Sequence, residues 1–223
     1  IAGHYESAEL VGGDYYDFIP RHNGKMLIAL GDVSGKGTAA ALLMSSLHAA
    51  IHAQTMAGSE LTEMVTAVNE YLASNTPSNR FITFFVGELD PATGELSYIN
   101  AGHNPPLVGR SDGSVEELDS GGFPLGIMPG AEFELGSITL KEGEAVIVFS
   151  DGVSEAENTE GEEFGIDRLS AVVRKHIDRS ASGLRDKIES SLSSFTGTAP
   201  ANDDITLVIV KRKHAVAGVS ATV

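Results

Sequence analysis

Several aspartates in the 223-residue chain stand at the ends of short apolar runs, where their carboxylates could bind metal ions. A single aspartate at a strand end is common, because its side chain accepts hydrogen bonds from turn amides. If several strand ends converge, however, the carboxylates cannot all stay ionised without cations. Oxygen ligands favour Mg²⁺ or Mn²⁺ over zinc, and a pair of such ions activates water against phosphate esters. The aspartates placed in this way are Asp14 and Asp17, Asp32, Asp151, and Asp203 with Asp204.

The stretch GDVSGKGTAAAL, which contains Asp32, also invites interpretation as a loop that binds nucleotide phosphates. Such a loop has the pattern G-x-x-x-x-G-K-[ST]. With Gly35 and Lys36 as the G-K pair, Leu30 stands where the pattern needs glycine and Gly37 where it needs Ser or Thr. We therefore expect a glycine turn between a strand and a helix. Lys36 either attracts an anionic phosphate or faces solvent.

The composition excludes several classes of function. The formal net charge of −16 argues against nucleic-acid binding, which needs Lys and Arg to neutralise phosphates. The absence of cysteine excludes disulfides, thiolate zinc sites and phosphatases with a cysteine nucleophile. The longest apolar runs, such as Ile205–Val210, are too short to span a bilayer. The hydrophobic fraction of 42% suits a globular domain, which we expect in the cytoplasm.

The order of predicted elements favours an α+β fold. A buried strand over Met26–Leu30 precedes a helix over residues 38–54 and a second helix that Ser59 would cap and that runs to about Ala73. Several strands follow, one of them over Phe133–Leu140, and then two helices and a last strand. Because helices do not alternate with strands, a doubly wound parallel sheet is excluded. A sandwich of two mainly antiparallel sheets with helices on each outer face fits the order.

The chain shows no repeat and no linker, so it is predicted to form one domain. We expect this domain over residues 1–212 and a frayed tail over residues 213–223, which are rich in small side chains. Because the chain opens at Ile1 without Met and enters a patterned sequence almost at once, we also expect it to be part of a longer multidomain regulator.

Ordered motifs resemble one known family. VGGDYYDF, GDVSGKGTAAALLMS, NAGHNPP, FSDGVSEAEN and NDDITLVIV occur in this order. The chain resembles the PPM-type metal-dependent serine/threonine protein phosphatases, in the SpoIIE/RsbU branch, over roughly residues 3–212. The resemblance implies a four-layer α-β-β-α sandwich with two Mn²⁺ or Mg²⁺ ions in a cleft at one end of the sheets. This implied fold agrees with the predicted order of elements.

The resemblance also implies roles for residues that match the family motifs. Asp32 corresponds to the ligand that bridges both ions, and the backbone carbonyl of Val33 would complete the coordination of one of the two ions. Asp151 and Asp203 correspond to further ligands, and with Asp32 they would carry catalysis. A water activated by the ions would attack phosphorus directly, so no covalent phosphoenzyme is needed.

Further positions are less closely tied to the motifs. Asp14 corresponds to an acidic residue that reaches an ion through water, and Asp204 would lie behind the direct ligands. Asp17 is either part of this group or a surface turn carboxylate. Ser34 stands where larger relatives have histidine, and residues 9–11 contain no arginine. The general acid and the group that anchors the phosphate therefore remain open.

Three histidines and one loop each allow two interpretations of their role. His103 is either an acid near the cleft or part of a fixed loop, which is the favoured interpretation. His48 and His52 have the i, i+4 spacing of zinc ligands, but Ala49 stands where the HExxH motif has glutamate. Packing or helix-surface roles are favoured for that pair. The Gly/Pro-rich stretch 121–130 either moves over the cleft or is a static connection.

The resemblance implies a phosphatase that acts on phosphoserine or phosphothreonine of a regulatory protein in bacterial signal transduction. The implied substrate is a phosphorylated anti-sigma-factor antagonist in a partner-switching pathway. An upstream sensor or receiver domain would control the phosphatase, often with homodimerisation. The alternatives are a domain of the same fold that binds its partner without turnover, and an enzyme that hydrolyses small phosphate esters.

Overall fold

The strand over Met26–Val33 is buried on both faces, which requires a layer of structure on each side of its sheet. The computed structural model describes residues 1–77, 79–119 and 121–213, so the predicted tail lies outside the described residues after Lys213. The strands are β1 (Ala2–Glu6), β2 (Tyr15–Pro20), β3 (Met26–Val33), β4 (Ile82–Leu89), β5 (Glu95–Ala101), β6 (Leu107–Gly109), β7 (Val115–Glu117), β8 (Gly121–Gly122), β9 (Gly136–Thr139), β10 (Ala145–Phe149) and β11 (Ile205–Lys211). The helices are α1 (Thr38–Ala57), α2 (Leu61–Asn75), α3 (Asp151–Ser154), α4 (Gly165–His176) and α5 (Ala181–Thr196).

The strands form two sheets. The first has the order β1-β11-β10-β6-β7, and the second has the order β2-β3-β4-β5-β8 with β9 also paired to β5. Among the described residues the strand pairs are antiparallel except β5 with β8. The predicted α+β class with two mainly antiparallel sheets is therefore confirmed.

Three apolar cores separate four layers. One core lies between the sheets and contains Leu30, Phe85 and Val208. A second core joins the β2–β5 sheet to α1 and α2, and a third joins the other sheet to α4 and α5. The layers therefore run helix, sheet, sheet, helix, as predicted. No helix of the described residues has the length and apolar character needed to cross a membrane.

The N-cap residue of α2 differs from the prediction. The N-cap of α2 is Glu60, which forms a capping box with Glu63, whereas the Ser59 hydroxyl donates a hydrogen bond to Gln54 2.6 Å away. The prediction that Ser59 caps this helix was therefore wrong. A glutamate cap is uncommon, and it works here because the Glu60 and Glu63 carboxylates each accept from the other's backbone N–H. Helix α1 ends at Ala57, and the left-handed φ of 77° at the next residue, Gly58, suits a helix terminus.

Some elements were not predicted from sequence. Strand β1 pairs with β11 at a sheet edge, and only Ala2 of its five residues is buried, so it lacks the apolar pattern of a buried strand. Helix α3 has four residues, and β8 has two, which are too few to show periodicity. The strand predicted over Phe133–Leu140 is shorter, because only Gly136–Thr139 pairs with β5.

Candidate active site

Asp32 lies near the end of β3, on the face that meets the other sheet. Side chains alternate along a strand, and Leu30, two residues earlier, belongs to the core between the sheets. Asp32 stands opposite Thr83 of β4 in the strand register. The second sheet therefore places this carboxylate at one end of the space between the two sheets.

The other sheet contributes Asp151 and Asp203 to the same place. Strand β10 ends at Phe149 and is followed by Asp151, the first residue of α3, while Asp203 comes just before β11. Burial raises the pKa of Asp32, and the negative charges of Asp151 and Asp203 raise it further. Burial and the charge of Asp203 likewise raise the pKa of Asp151. The three residues therefore converge closely enough for the charge of Asp203 to disfavour the ionised forms of Asp32 and Asp151.

Asp14 is buried beside this group. It is 6% exposed, and its Oδ2 accepts a hydrogen bond from the hydroxyl of Thr206 in β11. Burial raises the pKa of Asp14, the bond from Thr206 opposes this shift, and the charge of Asp32 adds to it. Thr206 was not singled out from sequence, because its contact joins positions 192 residues apart.

Asp204 holds the N-terminal loop against β11. Its Oδ1 accepts from the backbone N–H of Ala8 at 2.9 Å. Its Oδ2 accepts from the N–H of Gly13 at 2.7 Å and of Asp14 at 3.4 Å. Both oxygens are therefore committed to backbone amides, which suits a residue behind the ion ligands better than a ligand.

The serine and glycine on either side of Asp151 fix its position. The Ser150 hydroxyl donates to the carbonyl of Asp204 at 3.0 Å and accepts from the N–H of Thr206 at 3.0 Å. A Cβ on Gly152 would overlap the carbonyl oxygen of Asp204. Only glycine therefore allows α3 to begin this close to β11.

The turn after β3 agrees with the predicted glycine turn. Gly35 and Gly37 have φ angles of 87° and 75°, which other residues rarely adopt. The Val33 carbonyl oxygen faces the N-terminal loop, since a Cβ built on Gly13 would lie 3.2 Å from it. This places the carbonyl beside the segment that carries Asp14.

Arg80 supports the same turn from the loop between α2 and β4. Its guanidinium donates to the carbonyl of Ser34, and the N–H of Phe81 donates to the Ser34 hydroxyl at 2.9 Å. Sequence reasoning missed Arg80, because no motif links it to a turn 46 residues earlier. Ser34 is thus held by hydrogen bonds on both its side chain and its backbone.

Lys36 pairs with one of the candidate ligands. Its Nζ lies 2.8 Å from Oδ2 of Asp203 and also donates to the carbonyl of Asn202. The hydrogen bond to Asp203 raises the pKa of Lys36, although burial alone would lower it. The sequence suggested that Lys36 either attracts a phosphate or faces solvent, and neither interpretation included an ion pair with Asp203. A cation that binds Asp203 has to compete with the Lys36 ammonium.

His103 lies buried in the wall of the site. It is 4% exposed, its Nδ1 lies 3.0 Å from the Thr83 hydroxyl, and its backbone N–H donates to Oδ1 of Asn100 at 2.7 Å. Burial lowers its pKa to about 4, against the opposing effect of the Phe149 backbone. A neutral, enclosed imidazole is poorly suited to protonate a leaving group, so these contacts support the fixed-loop interpretation.

The stretch 121–130 is tied to α2. The side-chain amide of Asn69 donates to the carbonyl of Met128 at 3.0 Å, and its oxygen accepts from the N–H of Gly126 at 3.0 Å. These bonds support a static connection rather than a moving lid. The Ser154 hydroxyl, in turn, accepts from Asn104 at 3.1 Å.

Asp17 does not join the other aspartates. It lies two residues after Tyr15, whose side chain packs in the core beneath α1 and α2, so Asp17 projects toward α1. Its Oδ2 lies 2.7 Å from Nε2 of His52 and 3.9 Å from Nε2 of His48. Although burial alone would raise the pKa of Asp17, hydrogen bonds from His52, the Phe18 N–H and Tyr15 hold it below its ordinary value. The sequence did not predict this association with the two histidines.

The aspartate group fits hard divalent cations. Buried carboxylates with raised pKa values gain most from a positive charge, and Mg²⁺ and Mn²⁺ prefer such oxygen ligands. A groove of about 580 Å³ opens beside Asp203, Lys36 and Gly152 and continues between α3 and α5. Of the candidate ligands Asp203 lines this groove, so a phosphorylated group in the groove would approach the aspartates from the side of Asp203.

Comparisons with known proteins agree in family and fold. The family model of Stage II sporulation protein E (SpoIIE) matches residues 22–213. The chain is 31% identical over 235 residues to protein IcfG of Synechocystis sp. and 29% identical over 209 residues to the phosphoserine phosphatase RsbU of Bacillus subtilis. The match to IcfG covers 93% of this chain and 37% of IcfG, and the match to RsbU covers 92% of this chain and 61% of RsbU. The chain therefore spans less than two thirds of the length of either relative. The crystal structure of the RsbU and RsbW domains of Rv1364c from Mycobacterium tuberculosis matches with a TM-score of 0.84 and 30% identity, over 96% of this chain and 61% of that one.

Proposed function

Because the chain belongs to the SpoIIE family, we propose that it is a metal-dependent phosphatase that hydrolyses phosphoserine or phosphothreonine on a regulatory protein. The observation that carries this proposal is the convergence of Asp32, Asp151 and Asp203 from two different sheets. Their mutual repulsion is a cost that a bound cation would relieve.

Two Mg²⁺ or Mn²⁺ ions would occupy this site. Asp32, Asp151, Asp203 and the carbonyl of Val33 would hold these ions, with Asp32 central to the group, and Asp14 would contact them through water. When bound, such ions supply charge neutralisation at the phosphoryl group and activation of a water molecule.

The residues around the proposed ligands hold these ligands in place. Thr206 fixes the carboxylate of Asp14, and Asp204 fixes the loop on which Asp14 lies. Ser150 links the start of α3 to β11 and so sets the distance between Asp151 and Asp203. Lys36 holds Asp203 and lies at the mouth of the groove, where its charge can also attract phosphate.

We further propose that the substrate is a phosphorylated protein of the anti-sigma-factor antagonist type, in a cytoplasmic partner-switching pathway. The similarity to RsbU, a phosphoserine phosphatase, supports this assignment. The open groove beside Asp203 suits a polypeptide segment better than an enclosed pocket would. Because the chain spans only part of its relatives, we expect a sensor or receiver domain elsewhere in the full-length protein, with homodimerisation as part of its control.

The proposal is tested by phosphate release from a phosphoserine protein in the presence of Mg²⁺ or Mn²⁺. We expect Asp32→Asn and Asp151→Asn each to lower the rate at least ~100-fold, since even groups that only orient a metal ligand affect activity by about 10–100-fold. The exposed Asp186→Asn on α5 is the matched control and should retain activity. If the wild-type chain binds the metal and the phosphoprotein but releases no phosphate, it is a binding domain and not an enzyme.

A further inference from the structure

Asp17, His48 and His52 form a second group of potential ligands, on the other side of the β2–β5 sheet from Asp32. One ligand atom from each residue lies within 4.8 Å of the others. Asp32 faces the core between the sheets, whereas Asp17 follows Tyr15 on the face covered by α1. The two groups are therefore separated by the sheet itself and do not share a ligand.

The geometry of this group is close to that of a metal site. Ligands about 2.0–2.1 Å from a tetrahedral zinc ion lie roughly 3.3 Å from one another. The Oδ2 of Asp17 is 2.7 Å from Nε2 of His52 and 3.9 Å from Nε2 of His48, so the observed distances bracket that value. The two histidines share one face of α1 with ring centroids 4.4 Å apart. Small side-chain rotations would bring the three atoms into a common coordination sphere.

Neighbouring groups orient the carboxylate ligand. The Phe18 N–H donates to Oδ1 of Asp17 at 2.7 Å, and the Tyr15 hydroxyl donates to Oδ2 at 3.0 Å. The ring of Tyr15 also packs edge-on against His48, with centroids 5.7 Å apart. Hydrogen bonds of this kind fix the orientation of metal ligands in proteins. The side chains of Asp17, His48 and His52 are 25%, 51% and 40% exposed, so a cation can reach them from solvent.

We propose that Asp17, His48 and His52 bind a Zn²⁺ ion. Two imidazoles and one carboxylate suit Zn²⁺ and related transition-metal ions, whereas Mg²⁺ and Ca²⁺ prefer oxygen ligands alone. Three protein ligands leave the fourth position to water. The ion would join β2 to α1, the helix that begins at Thr38 immediately after the turn carrying Lys36. The site is distinct from the aspartate group and does not depend on the proposed phosphatase activity.

The test is a calorimetric titration with Zn²⁺ in the presence of excess Mg²⁺, which occupies oxygen-only sites. We expect the wild-type chain to bind one equivalent of Zn²⁺ that Mg²⁺ does not displace. His48→Ala and His52→Gln should each weaken this binding at least tenfold, and Gln at position 52 can keep a hydrogen bond to Asp17 so that the fold is preserved. The exposed His22→Ala is the matched control and should bind as the wild type does.

A second readout separates binding from misfolding. Zn²⁺ should raise the Tm of the wild type and of His22→Ala, because a ligand that binds only the folded state stabilises it. At the same Zn²⁺ concentration the rise in Tm should be smaller for His48→Ala and His52→Gln, while circular dichroism confirms that both variants are folded. The proposal is overturned if the wild type binds no Zn²⁺ under excess Mg²⁺, or if the two variants bind it with wild-type affinity.

Discussion

At the residue scale, the candidate active site is a balance between carboxylates that repel each other and groups that hold them in place. Burial raises the pKa of both Asp14 and Asp32, and the charge of Asp32 raises the pKa of Asp14 further, whereas a hydrogen bond with Asp14 lowers the pKa of Asp32. Hydroxyl and backbone donors satisfy part of this charge, and the Lys36 ammonium satisfies part of the charge on Asp203. The protein thus compensates only part of the negative charge of the aspartates, and the remaining charge can attract cations.

The pair between Lys36 and Asp203 leads to a prediction about metal affinity. Because a bound cation must displace the ammonium, Lys36→Met should increase Mn²⁺ affinity by up to about fivefold, which corresponds to the 0.2–1 kcal/mol of an exposed ion pair. Titration of the two proteins with Mn²⁺ measures the difference. Lys25→Met is the control, because Lys25 pairs with Glu88 away from the site. A lower Mn²⁺ affinity in Lys36→Met would show that the lysine does not compete with the metal.

At the element scale, the site depends on how β11 is joined to the N-terminal loop and to α3. Thr206 and Asp204, at the start of β11, contact Asp14 and the loop before β2. Ser150 ties the end of β10 to the same point. The ends of three strands are therefore held at one place by side-chain contacts that do not belong to the sheet ladders.

The loop that carries Asp14 should loosen when Asp204 is removed. Asp204→Ala leaves the amides of Ala8 and Gly13 without their acceptors, and we expect a loss of about 1–3 kcal/mol in the free energy of unfolding. Hydrogen exchange of these two amides should become faster. Asp204→Asn keeps one acceptor oxygen and is expected to show a smaller effect. Unchanged exchange at Gly13 in Asp204→Ala would contradict the assigned role.

Much of the fold was predictable because long elements carry strong local signals. Helices α1, α4 and α5 and the central strands have apolar patterns that extend over many residues, and the order of elements indicated two covered sheets. Strand β1 was missed because it is an exposed edge, and the cap of α2 was misplaced by one residue. In the site, the aspartates at strand ends were predicted from their positions and from the family resemblance. Arg80, Thr206 and the pair between Lys36 and Asp203 were not, because each contact joins residues far apart in sequence.

At the scale of the whole molecule, the two sheets act as one unit because a continuous apolar core lies between them. Asp32 comes from one sheet and Asp151 from the other, so their separation depends on how the sheets pack. His103 is enclosed at the same end and contacts β4 through Thr83. The pH stability of the fold is therefore linked to the structure around the site.

Burial of His103 predicts a loss of stability in acid. Its pKa is lowered from 6.5 to about 4 by burial, so the unfolded chain binds a proton that the folded chain does not bind. The free energy of unfolding should therefore fall as the pH drops below 6.5, with His103 contributing about 3 kcal/mol of loss by pH 4. Urea unfolding of wild type and His103→Gln at pH 7 and pH 4 measures the difference. Equal pH dependence in the two proteins would exclude this contribution.

The most direct test of the proposed metal centre is a crystal structure of this chain with Mn²⁺, analysed by anomalous diffraction. We predict two Mn²⁺ peaks about 3.5–4 Å apart, as in other two-metal sites, with Asp32 between them and Asp151 and Asp203 as ligands. Protein crystallised with Mn²⁺ that shows no anomalous peak within bonding distance of Asp32 would contradict the assignment of these aspartates as the metal centre.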